Sequence, residues 1–241
     1  MTAHISTKPM APAPAAPTAL PSSSSSALPT EAHVSLATPD DIPSLISMFW
    51  EAFSGPAEVT FPHTDGGRLW LERSFQNFLG KPSSPHYNRP VPHVPVIRNL
   101  NGRPIAFAIA HVVKPGQLIV GSSWKRRWGD VGGIKDVDGD RLAGYFEPLA
   151  RAHHLAVGRE GHVYIELLVT KRTARNRGYA TALVNWLANL ADDLGYACYL
   201  DGGGRGMVML EHAGFVAKDI GYRYSDAPPP CVPMIRPGKQ K

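Results

Sequence analysis

The stretch from His162 to Gly195 restricts this chain more than any other. Its first nine residues, His162–Thr170, have the composition of a strand. Residues 171–177, Lys-Arg-Thr-Ala-Arg-Asn-Arg, form a polar, basic turn. From Gly178 onward, Leu183, Val184, Leu187, Leu190, Ala191 and Leu194 recur at helical spacing and make one apolar stripe, and Gly195 ends the helix. A helix that begins this way leaves its first N–H groups without internal partners, at the positive end of its dipole. Gly178 and Ala180 carry little or no side chain, so a phosphate can approach the backbone there. Arg175 and Arg177 add charge in a form that grips phosphate with two hydrogen bonds. The turn is not a P-loop, because no Gly-Lys-Ser/Thr follows. It is not a dinucleotide fingerprint either, because the glycines are not spaced Gly-x-Gly-x-x-Gly.

The remaining elements follow from periodicity and punctuation. Val34–Leu36 alternates as a short strand, and Thr38-Pro39-Asp40-Asp41 has the composition of a helix start. Ile42, Leu45, Ile46, Phe49 and Phe53 recur at helical spacing until Gly55-Pro56, and a second helix is expected over residues 68–79. Residues 94–100 and 105–113 read as a hairpin closed at Asn101-Gly102. Residues 114–139 have no clear period and form a long insertion, extending to about 160 with a helix expected over 140–157 that Pro148 kinks or breaks. Beyond Gly195 the pattern gives a strand over 196–200, a flexible break at 202–204, a short helix over 205–212 and one or two closing strands over 215–224. This order describes a mixed α/β sheet in one layer with helices packed on it.

Composition bounds the rest. Of 241 residues, 43% are hydrophobic and 19% charged, enough apolar material for one sizeable core. Residues 1–30 are almost entirely Ala, Pro, Ser and Thr, and are expected to be a disordered tail. Residues 31–224 form the domain, and 225–241 a Pro-rich, basic tail. The formal net charge of +5 is mild, and nothing resembles a nucleic-acid module, so neither nucleic acid nor a membrane is expected as partner. Cys198 and Cys231 are too few for a disulfide framework and lack metal-site spacing. His63, His86 and His93 fit no zinc pattern and belong to surface loops. A reducing, cytoplasmic setting fits these counts.

Arg175-Asn176-Arg177-Gly178-Tyr179-Ala180 resembles the Arg/Gln-x-x-Gly-x-Gly/Ala motif of the GCN5-related N-acetyltransferase superfamily. The start, residues 34–42, resembles the first strand and helix of that family, and Leu210-Glu211-His212-Ala213-Gly214-Phe215 resembles its closing segment. The likeness spans residues 34–224 and is weakest over 114–160. Residues 197–215, with Met234-Ile235-Arg236, are similar to antibiotic-modifying members such as puromycin N-acetyltransferase. The resemblance implies a single, mostly antiparallel central sheet in which the strands at 162–170 and 196–200 splay apart. It implies acetyl-CoA as the acyl donor. Main-chain groups of Leu168, Val169 and Thr170 would pair with the pantetheine arm. The N–H groups of Arg175, Asn176, Arg177, Gly178, Tyr179 and Ala180, with Thr181, would hold the pyrophosphate.

Acetyl transfer to an amine needs a base for the ammonium, an acid for the leaving thiolate and a polarised carbonyl. With regular alternation, His162, Tyr164, Glu166 and Leu168 share one face of their strand, and Val163, Ile165, Leu167 and Val169 the other. Glu166 is then the expected base, or else a buried carboxylate bound by a neighbouring loop; His162 is a weaker candidate. The family's usual acid, a Tyr, is replaced here by Leu210, so Tyr222, Tyr224 or His212 must substitute, or no acid is needed. Asp201 is a second base, a group orienting the amine, or a cap of the following turn. Trp124, Trp128 and Tyr145 line an acceptor pocket or pack in the core. His153 and His154 point apart on their helix and do not share a metal. Three readings follow: direct acetyl transfer to a small-molecule amine in a ternary complex, transfer to a protein or peptide, and a non-catalytic acyl-CoA sensor. A monomer or a homodimer fits each.

Overall fold

A strand inherits its neighbours from the pattern of its apolar residues, and the most apolar strand here lies near the middle of the sheet. The computed structural model describes residues 33–80, 90–117, 124–221 and 231–239. Its strands are β1 (Val34–Leu36), β2 (Val91–His93), β3 (Pro95–Arg98), β4 (Pro104–Val113), β5 (His162–Thr170), β6 (Ala197–Gly202), β7 (Val216–Ala217) and β8 (Val232–Arg236). Its helices are α1 (Ile42–Ala52), α2 (Asp65–Leu79), α3 (Trp124–Trp128), α4 (Gly139–Val157), α5 (Tyr179–Leu194) and α6 (Met207–His212). The strands form one sheet in the order β1-β3-β4-β5-β6-β8-β7, with β2 beside β3 along β4. Every pairing is antiparallel except β5 with β6. This is the expected mixed, mostly antiparallel sheet with helices on both faces.

One face packs α1, α2, α3 and α4. Its core includes Phe49, Trp70, Phe75, Phe107, Ile109, Trp124 and Trp128. The other face packs α5 and α6 on Ala108, Ala110, Val163, Ile165, Cys198 and Leu200. Along α5, Leu183, Val184, Leu187, Ala188 and Ala191 are buried, while Leu194 emerges past the sheet and is 43% exposed. Two bidentate ion pairs lock the layers. Arg98 on β3 holds Asp41, which itself accepts from the Thr38 N–H ahead of α1. Arg236 on β8 holds Asp192 near the end of α5, with both contacts at 2.8 Å.

Regular alternation fails at one place in β5, with consequences for the site. Ile109 of β4 faces Leu167, but Ala110 faces Ile165, so Glu166 is an extra residue without a partner across the ladder. Such a bulge moves the following side chains to the opposite face. Val163 and Ile165 lie under α5, as expected, yet Leu167 and Val169 pack on the α1–α2 side and Leu168 turns under α5. The expected division of β5 into one polar and one apolar face is therefore corrected beyond Ile165.

Three further expectations are revised. Helix α4 runs through Pro148 without a break. Its N-terminus is capped by Asp138, whose carboxylate accepts from the N–H groups of Asp140 and Arg141. Helix α2 starts at Asp65, three residues before the expected position, capped by the Thr64 hydroxyl. The segment 225–241, expected as a tail, supplies β8, which inserts between β6 and β7. The expected tail at 1–30 lies outside the described residues. Among the described residues, no helix is long and apolar enough to cross a membrane.

Because β8 fills the sheet between β6 and β7 and buries Met234 against Gly202, it is part of the core. Truncation after residue 224 is expected to abolish cooperative thermal unfolding, and Met234→Ala to cost about 2–5 kcal/mol in urea unfolding. An unchanged transition in the truncated chain would show that β8 is dispensable.

Candidate active site

The parallel pair β5–β6 is short. Its register runs from His162↔Ala197 to Ile165↔Leu200 and stops there. Beyond it, Asp201 and Gly202 pair with β8, while among the described residues Glu166–Thr170 has no strand on that side. The sheet thus opens into a wedge just past the bulge. Leu167 and Leu168 are only half-buried, although they are leucines of a central strand. At the far end of the wedge, the buried Thr170 hydroxyl has no hydrogen-bond partner among the described residues. A buried donor without a partner is costly, and a bound group that supplies an acceptor removes that cost.

The chain leaves β5 through the turn expected to bind phosphate. The Lys171 N–H bonds to the Ile105 carbonyl, and a single 3-10 turn spans Arg172–Ala174. The Arg172 N–H donates to the Glu51 carboxylate at the end of α1. Asn176 has φ 60° and Gly178 φ 79°, both left-handed. Gly178 takes this conformation without a Cβ clash and is the residue from which α5 starts. Among the described residues no side chain caps α5 at this end, which leaves its first N–H groups available to an anion. Arg175 bonds back to the Thr170 carbonyl at 3.3 Å, and Arg177 is exposed. An uncapped helix start, an unpaired strand edge and an orphaned hydroxyl in line fit a ligand that joins a pyrophosphate to an amide-bearing arm.

Glu166 points away from this wedge into the other face. Its carboxylate accepts from Arg127 Nε and Nη2, with the shortest contact at 2.7 Å, from Trp128 Nε1 at 3.0 Å and from His111 Nε2 at 2.7 Å. Its side chain is 3% exposed. Burial opposes the charge, but Arg127 and His111 outweigh it, and the carboxyl stays well below the usual carboxylate range. A carboxylate so placed is a weak base. Of the two alternatives the sequence left for Glu166, the geometry matches a buried carboxylate bound by a neighbouring segment. Arg127 and His111 were not legible as site residues: one lies in an insertion without a period, and the other in a strand whose neighbours are apolar.

On the same face, Phe53, Phe61, Tyr145, Leu149, Tyr164 and Glu166 line a narrow pocket. Burial drives the Tyr164 and Tyr145 hydroxyls above the ordinary tyrosine range, with neighbouring carboxylates adding to the effect. Asp201 contributes to both shifts and to that of Cys231, which burial pushes up to about 11. Asp201 therefore stands beside the pocket, where β6 leaves β5. Its carboxylate accepts from the Tyr199 hydroxyl at 2.8 Å. Behind Tyr164 lies a buried imidazole pair, His153 Nε2 to His162 Nε2 at 2.7 Å. His162 Nδ1 donates to the Glu160 carbonyl, so His162 Nε2 is the acceptor of the pair and His153 its donor. His162 is thus in the core rather than at the wedge.

Other candidates separate plainly. Leu210 is buried against Gly202 in the α5–α6 core, so its position offers no acid. His212 is exposed, and Tyr222 and Tyr224 lie outside the described residues. Trp124 is a core residue, whereas Trp128, although buried, lines the pocket together with Tyr145. His153 is buried and His154 exposed, and no cluster of potential metal ligands occurs among the described residues.

The sequence profile of the acetyltransferase (GNAT) family matches residues 44–205. That is well over half of the chain, which belongs to this family. A comparison with curated proteins finds no match. Among solved structures, the chain is similar to arylalkylamine N-acetyltransferase 2 from Aedes aegypti (14% identity, TM-score 0.55, covering 85% of this chain and 97% of that one). It is also similar to a Corynebacterium glutamicum protein described as histone acetyltransferase HPA2 and related acetyltransferase (20%, 0.52, 86% and 97%). A third is a phosphinothricin acetyltransferase from Sinorhizobium meliloti in complex with acetyl-CoA (15%, 0.50, 85% and 87%). At these identities the likeness is one of fold. The chain is thus an acyl-CoA-dependent N-acetyltransferase of this family.

His111, His153 and His162 are all held below their ordinary value near 6.5, chiefly by burial. Each binds fewer protons folded than unfolded, so its contribution is complete above about pH 6.5 and is lost as pH falls toward the folded pKa. Asp41, Glu166 and Asp192, held low by their arginine partners, contribute above the free carboxylate range and lose that contribution only at lower pH. Urea midpoints should therefore decline from about pH 6.5 to pH 5, and more steeply below about pH 4. His153→Gln should flatten the first segment. A midpoint constant from pH 7 to 5 would contradict neutral burial of the three imidazoles.

Proposed function

We propose that this protein transfers an acetyl group from acetyl-CoA to the amine of a small molecule, by direct attack in a ternary complex. The observation that carries this reading is the wedge past Ile165 and Leu200, which ends in an orphaned hydroxyl and an uncapped helix start. The bound thioester supplies an activated acetyl group. Main-chain groups of Leu168, Val169 and Thr170 hold its arm. The N–H groups of residues 175–180, with Thr181, hold its pyrophosphate, and Arg175 and Arg177 neutralise charge there.

The acceptor enters from the α1–α2 side. The pocket there is narrow and ringed by Phe53, Phe61, Trp128 and Tyr145, which favours a small molecule over a peptide. Asp201 is the group that takes the ammonium proton: it stands at the mouth of the wedge, and its partner Tyr199 fixes its orientation. Glu166 is retained as a structural anion rather than as base, since Arg127 already holds its charge. Tyr222, five residues beyond β7, is the counterpart expected to protonate the thiolate. No cysteine stands ready as an acetyl carrier, because burial pushes the Cys198 thiol up to about 12. The likeness of residues 197–215 to antibiotic-modifying enzymes suggests a role in detoxification or resistance in the cytoplasm.

Coenzyme A release over a panel of small amines and peptides tests this reading. Turnover is expected on small amines, and Asp201→Asn should lower kcat by about a hundredfold or more, the usual weight of a general base. Activity confined to peptides would transfer the reading to a protein acceptor. Acetyl-CoA binding without turnover on any amine would make the protein a sensor.

A further inference from the structure

The bulge at Glu166 decides which backbone groups of β5 face the wedge, and the sequence of β5 does not by itself fix its position. Sliding the extra residue one place to Ile165 keeps an apolar strand in place but pairs Glu166 with Ala110 and turns its side chain toward α5. What distinguishes position 166 is its side chain. The carboxylate is buried, and a one-residue slip would carry it away from its donors and leave the Arg127 guanidinium, also buried, without its counter-charge. Of the donors, Trp128 is neutral and His111 is held below its ordinary pKa, so Arg127 is the full positive charge in contact with the carboxylate.

Arg127 reaches Glu166 from α3, a helix of five residues that is too short to stand alone. Helix α3 is held by the Ser74 hydroxyl, which donates to the Trp128 carbonyl, and by stacking of Trp128 on Trp70. These contacts fasten α3 to α2, and Arg127 and Trp128 fasten it to the bulge through their hydrogen bonds to Glu166.

We propose that Arg127 is a positioning residue for acetyl transfer: as the counter-charge of Glu166 it clamps the insertion onto the β5 bulge and thereby sets the strand edge that seats the thioester arm. The insertion is in this sense part of the active site, although Arg127 itself does not line the acceptor pocket. The inference rests on the acetyl-transfer reading for its kinetic consequence but not for its structural one.

The test is Arg127→Lys in the full chain, which keeps the charge and removes the two-pronged grip. Two readouts are taken: kcat and the KM for acetyl-CoA, and backbone amide exchange. Exchange over residues 166–170 should rise about tenfold or more while the turn at 175–180 and α5 keep parent protection. With an accepted amine, kcat per folded molecule should fall about tenfold or more, and the acetyl-CoA KM should stay within about twofold, because the phosphate turn is untouched. Parent exchange over 166–170, or parent kcat in a less stable protein, would reduce Arg127 to a packing residue and overturn the proposal. If the lysine variant does not fold, the paired Arg127→Gln/Glu166→Gln variant, which removes both charges together, takes its place with the same two readouts and criteria. Should no amine be acetylated even by the parent, the functional reading fails, and the exchange measurement alone still decides for or against the clamp.

Discussion

A carboxylate enclosed by protein must be met by a full set of donors, and the enclosure of Glu166 organises much of what surrounds it. It brings Arg127 and Trp128 from α3 and His111 from β4 to one point of β5. Breaking such a buried pair by removing one partner typically costs about 3–5 kcal/mol, so the three segments move together or not at all. The point they share is the bulge, and past the bulge β5 parts from β6. The sheet thus opens just past the point at which this charge is accommodated on its opposite face.

The two faces then divide the work. On the α5 side, small and branched residues pack closely, and the helix start is aimed back at the end of β5, where Gly178 supplies a left-handed turn. On the α1–α4 side, large rings stack around the pocket, with Phe49, Phe61 and Trp70 almost wholly buried. An uncapped helix start next to a wedge, with a narrow aromatic chamber behind it, suits a reaction in which an acyl-CoA and an acceptor amine approach from opposite sides. Carboxylates of different character flank that chamber. Glu166 is neutralised by an arginine, whereas Asp201 is bound by a tyrosine hydroxyl at the strand end. Such a difference in environment is how similar groups come to hold different roles.

Much of this was legible in the sequence. The strand, turn and helix of residues 162–194 were readable because period-2 and period-3.6 patterns meet at a glycine, and each pattern is local. Leu210 was readable as a departure from the family's acid position, and its burial shows where that side chain goes instead. The bulge was not readable, because one extra residue leaves the composition of a strand unchanged while reversing its faces. Arg127 and the His153–His162 pair were hidden because each depends on a contact between segments that no local period encodes. Strand β8 was hidden for a related reason: its Pro-rich surroundings read as loop, and only pairing with β6, some thirty residues away in sequence, makes it a strand.

Acetyl transfer by this chain requires that the wedge and the turn bind an acyl-CoA together. Isothermal titration of acetyl-CoA into the protein, beside Gly178→Glu shown by circular dichroism to be folded, measures this directly. The account predicts saturable one-to-one binding by the parent and none by the variant, whose added carboxylate would occupy the phosphate's place at the start of α5. No binding by a folded parent, or equal binding by both proteins, would contradict it.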